Sequence, residues 1–130
     1  MKPNCKVALA GILGIAVGAA SMAALAAGTA APAYYVGNVQ EVKDAEAYKV
    51  YASKVPDTLN PFGGKFIVRG AEPVILDASK KPPGYIVVIE FPSMKNLRDW
   101  WNSPVYSSIR PIRERLTIGQ NYAVEGLPPS

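Results

Sequence analysis

Residues 85–91 read Tyr-Ile-Val-Val-Ile-Glu-Phe, and the predicted sheet is built around this segment. It is apolar or aromatic except at Glu90, with no alternation between polar and apolar positions. A strand with one face in water alternates, whereas a strand covered on both faces is apolar throughout. The stretch therefore predicts a central strand of a sheet that is covered on both faces.

The chain before this strand predicts a strand, a helix and another strand. Residues 34–42 are rich in β-branched and aromatic residues, which favours a first strand. Asp44 predicts the start of a helix, with Pro56 kinking or breaking it and Gly63-Gly64 ending it. Residues 65–69 predict the second strand, with a bulge at Gly70 before residues 74–76. The apolar stripe of the helix follows helical spacing and comprises Tyr48, Tyr51, Ala52, Val55 and Leu59.

The chain after this strand predicts a helical region and a last strand. Ser93 suits a helix cap, Ser103-Pro104 breaks and restarts the helix, and Pro111 predicts an irregularity. Gly119 is expected to end the helical region, and residues 121–125 to form the last strand. The predicted inward positions are Met94, Leu97 and Trp101 in the first helical segment, and Val105, Ile109, Ile112 and Leu116 in the second.

The element order is strand, helix, strand, strand, helix, strand. This βαββαβ order predicts an α+β ferredoxin-like fold, in which two helices pack on one face of a four-stranded antiparallel sheet. The other sheet face then lies bare, although the strand at residues 85–91 predicts that it is covered. In so short a chain a second copy is the simplest cover, so we predict a homodimer.

The first 26 residues have the pattern of a secretory signal peptide. Lys2 and Lys6 precede an uncharged run rich in Ala, Gly, Leu, Ile and Val, and Ala24-Leu25-Ala26 suits cleavage after Ala26. An alternative cut follows Ala33, and a retained anchor is the alternative to cleavage. We predict export to the periplasm or beyond, a domain at residues 34–126, a tail at residues 127–130, and no membrane association after cleavage.

Composition excludes several classes of site and partner. The chain of 130 residues has 14 Lys and Arg against 10 Asp and Glu, or 12 against 10 without the two leader lysines. Basic and acidic residues are interleaved, so we predict no nucleic-acid partner. The chain has no His, and Cys5 in the leader is its single Cys. Without imidazole or thiol we predict no metal site and no cofactor, and no Ser-His or Cys-His nucleophile.

The chain resembles the domain-of-unknown-function family 1330 over residues 34–126. The resemblance rests on four strings in order: residues 44–48 (DAEAY), 63–70 (GGKFIVRG), 90–93 (EFPS) and 101–106 (WNSPVY). It implies a dimeric α+β barrel, in which ferredoxin-like domains pair sheet to sheet. That superfamily includes cofactor-independent monooxygenases, lactone isomerases and haem-dependent enzymes, whereas the family itself has no established reaction. Val105 departs from the family, in which an acidic residue commonly follows Ser-Pro. This chain therefore has no carboxylate at position 105 that could act in a site.

Glu90 is the candidate catalytic residue. It ends an apolar strand, and burial would suit it to proton transfer on a small carbonyl or phenolic ligand. The alternative is a structural ion pair with Arg69 on the neighbouring strand.

A pocket between sheet and helices is the candidate ligand site. Tyr106, Arg110 and Arg113 fall at i, i+4 and i+7 and suit an acidic organic ligand, the alternative being a solvated or dimer-rim face. Of the adjacent tryptophans, Trp101 is assigned to the core, and Trp100 is left free to line a cleft. The predicted pocket is lined by Tyr35, Asn38, Tyr48, Arg69, Glu90, Trp101 and Tyr106.

Three functions fit these residues. The first is a dimeric domain that binds a small organic molecule. The second is a cofactor-independent isomerase or monooxygenase-like enzyme that uses Glu90 for proton transfer. The third is a structural or interaction module without a ligand, for which a filled interior and a Glu90–Arg69 pair are expected.

Overall fold

A computed structural model describes residues 30–130, so the predicted signal peptide at residues 1–26 lies outside the described residues. The compact unit spans Ala31–Leu127. Its strands are β1 (Ala33–Val42), β2 (Lys65–Ala71), β3 (Tyr85–Phe91) and β4 (Thr117–Glu125). Its α-helices are α1 (Ala45–Leu59), α2 (Met94–Trp101) and α3 (Pro104–Leu116), with a 3-10 turn at Asn60–Phe62.

The four strands form one antiparallel sheet in the order β2-β3-β1-β4. This order and the helix placement confirm the ferredoxin-like α+β fold. The second helical region is two helices, as the Ser103-Pro104 break predicts. Ser93 and Ser103 cap them, since their hydroxyls accept hydrogen bonds from the amides of Asn96 and Tyr106.

Strand register assigns each side chain to one face of the sheet, because directly paired residues point the same way. Tyr35 pairs with Ile89 and Ala123, and these residues face the helices. Val36 pairs with Val88 and Tyr122, which belong to the opposite face, here called the outer face. The outer residues of β3 are only half-buried within one copy of the chain.

Two bulges shape β2 and bring Phe66 and Arg69 to the same face. The register of β2 against β3 shifts between Phe66 and Val68 and again between Arg69 and Ala71. The second shift confirms the bulge predicted at Gly70, where φ is +71°, a conformation that favours glycine. The extra residue at position 67 lets Phe66 pair with Ile89 and Arg69 with Val87, both on the helix-facing side.

Two predictions about elements are wrong. Residues 74–76 form no strand, since β2 already pairs at Ala71 near the start of β3, and Leu76 is 95% exposed. Gly119 does not end a helix: β4 starts at Thr117, and Gly119 lies inside it. A Cβ on Gly119 would lie 1.9 Å from the carbonyl oxygen of Asn38, so close strand approach explains this glycine. Of the kink and the break predicted at Pro56, the break does not occur: α1 continues through Pro56, and Val55 and Leu59 on either side are buried.

The buried face of the last two helices is confirmed in part: Leu97 is buried, and Met94, Trp101, Ile109 and Ile112 are partly buried against the core. Trp100, not Trp101, is fully buried, because it lies one turn from the buried Leu97 and faces the sheet. On α3 the buried residues are Tyr106 and Arg113, two turns apart, while Val105 is exposed. The core prediction for Tyr51 is confirmed.

None of the helices within residues 30–130 has both the length and the apolar composition needed to cross a membrane.

Substitution of the two tryptophans tests which one belongs to the core. Trp100 contacts Phe91 and Tyr106, and its Nε1 donates to Thr58 Oγ1 at 3.0 Å. Trp100→Phe loses packing and this hydrogen bond, so we expect a decrease of about 2 kcal/mol in the free energy of unfolding. Trp101→Phe mainly weakens cation–π contacts and is expected to cost about 0.5 to 1 kcal/mol. Urea unfolding measures both, and equal losses would contradict this assignment.

Candidate functional site

The structure contains a cavity of about 190 Å³ between the helix-facing side of the sheet and helices α1 and α3. We call it the tyrosine cavity. Its walls are mostly apolar, and it is partly open to solvent. The residues that line it are Tyr35, Gly37, Val39, Tyr48, Tyr51, Ala52, Val55, Phe66, Arg69, Gly70, Val87, Ile89, Trp100, Tyr106, Arg113 and Asn121.

Hydrogen bonds between side chains position the inner end of the cavity. The hydroxyls of Tyr51 on α1 and Tyr106 on α3 lie 2.8 Å apart, and both side chains are buried. Arg113 Nε donates to the Tyr106 hydroxyl at 3.4 Å. Trp100 stacks on the Tyr106 ring, with the ring centroids 4.1 Å apart. These contacts hold the phenols and the guanidinium in defined positions, which a binding site requires.

Tyr35 and Asn121 form the wall toward β4. The Tyr35 hydroxyl donates to Asn121 Oδ1 at 2.5 Å. Both residues also line a second hollow of about 240 Å³ beside α2 and β4, which Trp101 and Arg98 border. The hydrogen-bonded pair therefore stands between two neighbouring hollows.

Burial keeps the phenols of Tyr35, Tyr48 and Tyr51 in the neutral form. Desolvation raises the pKa of Tyr35, Tyr48 and Tyr51 above the ordinary value of 10.0. For Tyr35 and Tyr51 the neighbouring Tyr106 raises the pKa further. At neutral pH these side chains act as hydrogen-bonding groups without charge.

Arg113 carries the charge at the inner end of the cavity. Its residue is only 7% exposed. Burial disfavours the charged guanidinium, but interactions with the hydroxyls of Tyr35 and Tyr106, including the hydrogen bond to Tyr106, raise the pKa of Arg113 overall. The guanidinium is therefore a fixed positive charge inside an apolar cavity.

Arg69 is the second cation of the cavity and belongs to its exposed side. Its guanidinium lies over the Phe66 ring, 4.5 Å from the centroid. This contact depends on the bulge in β2, which places Phe66 and Arg69 on one face although they are three residues apart.

The cavity brings together Tyr35, Tyr48, Arg69, Tyr106 and Arg113 of the predicted site. The solvated or dimer-rim alternative does not describe Tyr106 and Arg113, because both are buried. Sequence reasoning missed Phe66 and Asn121 and assigned Tyr51 to the core alone. The spacing of Tyr48 and Tyr51 on one helix face was a usable signal for Tyr51. The position of Asn121 depends on strand register, for which the sequence offers no signal.

Two predicted lining residues, Glu90 and Asn38, lie on the outer face and do not line the cavity. Glu90 pairs in register with Tyr34 and Lys65, and its carboxylate forms an ion pair with Lys65 at 3.1 Å. The prediction that Arg69 is the ion-pair partner of Glu90 is wrong, because the bulge in β2 turns Arg69 to the other face. Asn38 Oδ1 accepts a hydrogen bond from the Gly84 amide at 2.9 Å.

Trp101 and Arg110 lie beside the tyrosine cavity rather than in its lining. The Arg110 guanidinium stacks on the Trp101 ring at 4.4 Å and forms an ion pair with Glu114 at 3.2 Å. It also donates to the Trp101 carbonyl oxygen. Its charge is thus already paired, unlike that of Arg113 one turn further along α3. Among the described residues, no three His, Cys, Asp or Glu side chains cluster in a way that suits a metal ion.

Comparison with known protein families tests the family resemblance that the four sequence motifs predicted. The model of the family described as Domain of unknown function (DUF1330) matches residues 32–127. The chain belongs to this family. The predicted resemblance is thereby confirmed, and the family description assigns no activity to the domain.

Two solved structures similar to this DUF1330 domain, both of one protein, support the fold. The RPA0582 protein of unknown function from Rhodopseudomonas palustris is 19% identical, with a TM-score of 0.60 over 76% of this chain and 85% of that one. Its methylated form is 18% identical, with a TM-score of 0.63 over 77% and 84%. A dimeric ferredoxin-like protein of unknown function from Thermobifida fusca is 10% identical, covers 75% and 92%, and has a TM-score of 0.49, too distant to indicate this chain's assembly. No curated protein shows significant sequence similarity to the chain.

The buried phenols predict a loss of stability at alkaline pH. The folded-state pKa values of Tyr35 and Tyr51 exceed 10.0, the value expected in the unfolded chain. The contribution of these two phenols to the free energy of unfolding is therefore complete below pH 10. It decreases as the pH rises above 10, since the phenols of the unfolded chain then lose their protons first. We expect the free energy of urea unfolding to fall between pH 10 and 11, and to fall less steeply in Tyr51→Phe. An unchanged slope in Tyr51→Phe would contradict the burial argument.

Proposed function

We propose that this protein is an exported homodimer that binds a small organic molecule in the tyrosine cavity. The observation that supports this function is the cavity itself: apolar walls with a few converging polar groups are typical of a small-molecule site. The phenols and Arg113 supply directed hydrogen-bond donors, while Val55, Val87 and Ile89 supply apolar contact.

The geometry favours binding over the two alternatives. A catalytic role for Glu90 on a ligand in the tyrosine cavity requires its carboxylate to line that cavity, whereas it lies across the sheet and pairs with Lys65. An interaction module without a ligand predicts a filled interior and a Glu90–Arg69 pair. The interior instead contains a cavity of about 190 Å³, and Arg69 stacks on Phe66.

The outer face supports the homodimer. Val36 and Val88 lie at its centre, and Tyr122 and Val124 on β4 remain about half exposed. These side chains are neighbours by register, so they form a continuous apolar patch across three strands. Such a patch on a small domain favours association, and a second copy offers an identical apolar surface.

Export is proposed from the leader alone. Residues 1–26 combine a basic start, an apolar run and the Ala24-Leu25-Ala26 cleavage pattern.

A cavity-filling substitution tests the binding function. Ala52 on α1 lines the cavity, so Ala52→Phe is expected to occupy the space of a ligand. Val50 on the same helix is 55% exposed and lies outside the lining, so Val50→Phe is the matched control. Saturation-transfer NMR with benzoate and benzyl alcohol at millimolar concentration is the measurement. We expect signals with at least one probe for wild type and Val50→Phe, and their loss for Ala52→Phe. Equal signals in Ala52→Phe, or none in wild type, would refute binding in this cavity.

Matched charge substitutions on the two sheet faces test the dimer. Tyr122 on the outer face is 50% exposed, and Tyr85, on the helix-facing side, is 53% exposed. Tyr122→Glu places a charge in the proposed interface and is expected to yield monomers, whereas Tyr85→Glu is expected to remain dimeric.

Native mass spectrometry of the protein recovered from cells that express the whole chain is the measurement for these two variants. The wild-type protein is expected as a dimer whose subunits lack residues 1–26. A wild-type monomer, or a dimer in both variants, would disprove the sheet-to-sheet interface. Subunits that retain Met1 would disprove cleavage.

A further inference from the structure

We infer that the tyrosine cavity takes a single-ring aromatic carboxylate, with the carboxylate bound by Arg113. This inference rests on the proposed function, because it names the chemical class of the molecule that the cavity binds. It follows from the charge of the cavity, the free donors of Arg113, and the size and aromatic character of the walls.

The charge of the lining favours an anion. The lining includes Arg69 and Arg113 and no Asp or Glu. The phenols do not balance these charges, since burial keeps Tyr35 and Tyr51 neutral. The cavity is therefore a mostly apolar space with a positive charge at its inner end, and low polarity strengthens attraction to an anion there.

Arg113 lacks the counter-ion that a buried guanidinium normally has. None of the ion pairs among residues 30–130 includes Arg113, although Arg110 on the same helix pairs with Glu114. A buried charge without a partner is costly, and a bound anion offsets that cost. Arg113 is therefore placed to gain more from an anionic ligand than any paired arginine of the domain.

The hydrogen-bond donors of Arg113 remain available to a ligand. A guanidinium has five N–H donors. Within the described residues its side chain makes one hydrogen bond, from Nε to the Tyr106 hydroxyl. No side-chain nitrogen or oxygen of the described residues is both fully buried and without a partner, so the two terminal nitrogens of Arg113 are in contact with open space. A planar carboxylate matches this pair of nitrogens by accepting two parallel hydrogen bonds.

The size and walls of the cavity favour one aromatic ring. An apolar cavity of about 150 Å³ accommodates benzene, and the tyrosine cavity of about 190 Å³ has room for a ring with one small substituent. Rings of Phe66, Tyr48, Tyr51 and Trp100 form its walls. Aromatic rings pack well edge-to-face or offset-stacked against such walls.

Titration calorimetry of wild type with benzoate, benzamide and cyclohexanecarboxylate tests this inference without any variant. Benzamide has nearly the shape of benzoate but no charge, and cyclohexanecarboxylate has the charge but no aromatic ring. We expect benzoate to bind about 10- to 100-fold more tightly than benzamide, as for a hydrogen bond to a charged group. We expect cyclohexanecarboxylate to bind more weakly than benzoate. Equal affinities for benzoate and benzamide would overturn the inference that the ligand is an anion. Equal affinities for benzoate and cyclohexanecarboxylate would overturn the inference that it has an aromatic ring.

Two arginine variants assign the effect to Arg113. Arg113→Met keeps much of the side-chain volume and is tolerated in an apolar setting, so it is expected to fold and to lose the preference for benzoate over benzamide. Arg110→Gln removes a neighbouring cation outside the lining and is expected to keep that preference. Retention of the preference in Arg113→Met would overturn the role of Arg113.

The outcomes separate the two proposals. If benzamide and benzoate bind equally tightly and Ala52→Phe abolishes the binding of both, the carboxylate inference is overturned. The proposed function then stands. Absence of binding by all three probes, under conditions in which the near-ultraviolet circular dichroism shows folded protein, would overturn both.

Discussion

The contact between the hydroxyls of Tyr51 and Tyr106 is the interaction on which the interior of this domain depends. It joins α1 to α3 by a buried hydrogen bond, and Arg113 extends it by donating to the same Tyr106 oxygen. Polar groups at this depth are stable only when they are paired, so the three side chains hold one another in place. Because all three side chains also line the cavity, the contacts that stabilise the interior are the contacts that shape the candidate site.

Trp100 packs against the hydrogen-bonded group of Tyr51, Tyr106 and Arg113 through the ring of Tyr106. It stacks on Tyr106, contacts Phe91 and donates to Thr58, so it links α2 to α3, to β3 and to the end of α1. Ser103 and Pro104 end one helix and begin the next, so that Trp100 and Tyr106 meet across the break. The aromatic core and the cavity wall are thus built from the same rings, and core stability and site geometry are not separable here.

The sheet gives the domain two faces with different chemistry. The helix-facing side carries the phenols, Phe66, Arg69 and Asn121, whereas the outer side carries valines, Tyr122 and the Lys65–Glu90 ion pair. The bulges in β2 make this division possible, since an unbroken strand would turn Phe66 and Arg69 to opposite faces. Ligand binding and self-association are consequently proposed for opposite faces, so neither requires the residues of the other.

The sequence alone was sufficient to predict the element order, the helix starts at Asp44 and Ser93, the break at Ser103-Pro104, the bulge at Gly70 and the ferredoxin-like fold, because these follow from local propensity and from spacing along the chain. It also pointed to Tyr35, Tyr48, Tyr106 and Arg113 as members of one site.

Tertiary packing was needed to show that Glu90 and Asn38 face away from that site, that Trp100 is buried more deeply than Trp101, and that Asn121 joins Tyr35. Those outcomes depend on register and helix rotation, since a shift of one residue reverses the face of a strand side chain and turns a helical one by about 100°. Such small shifts are set by packing between distant segments, which local sequence does not encode.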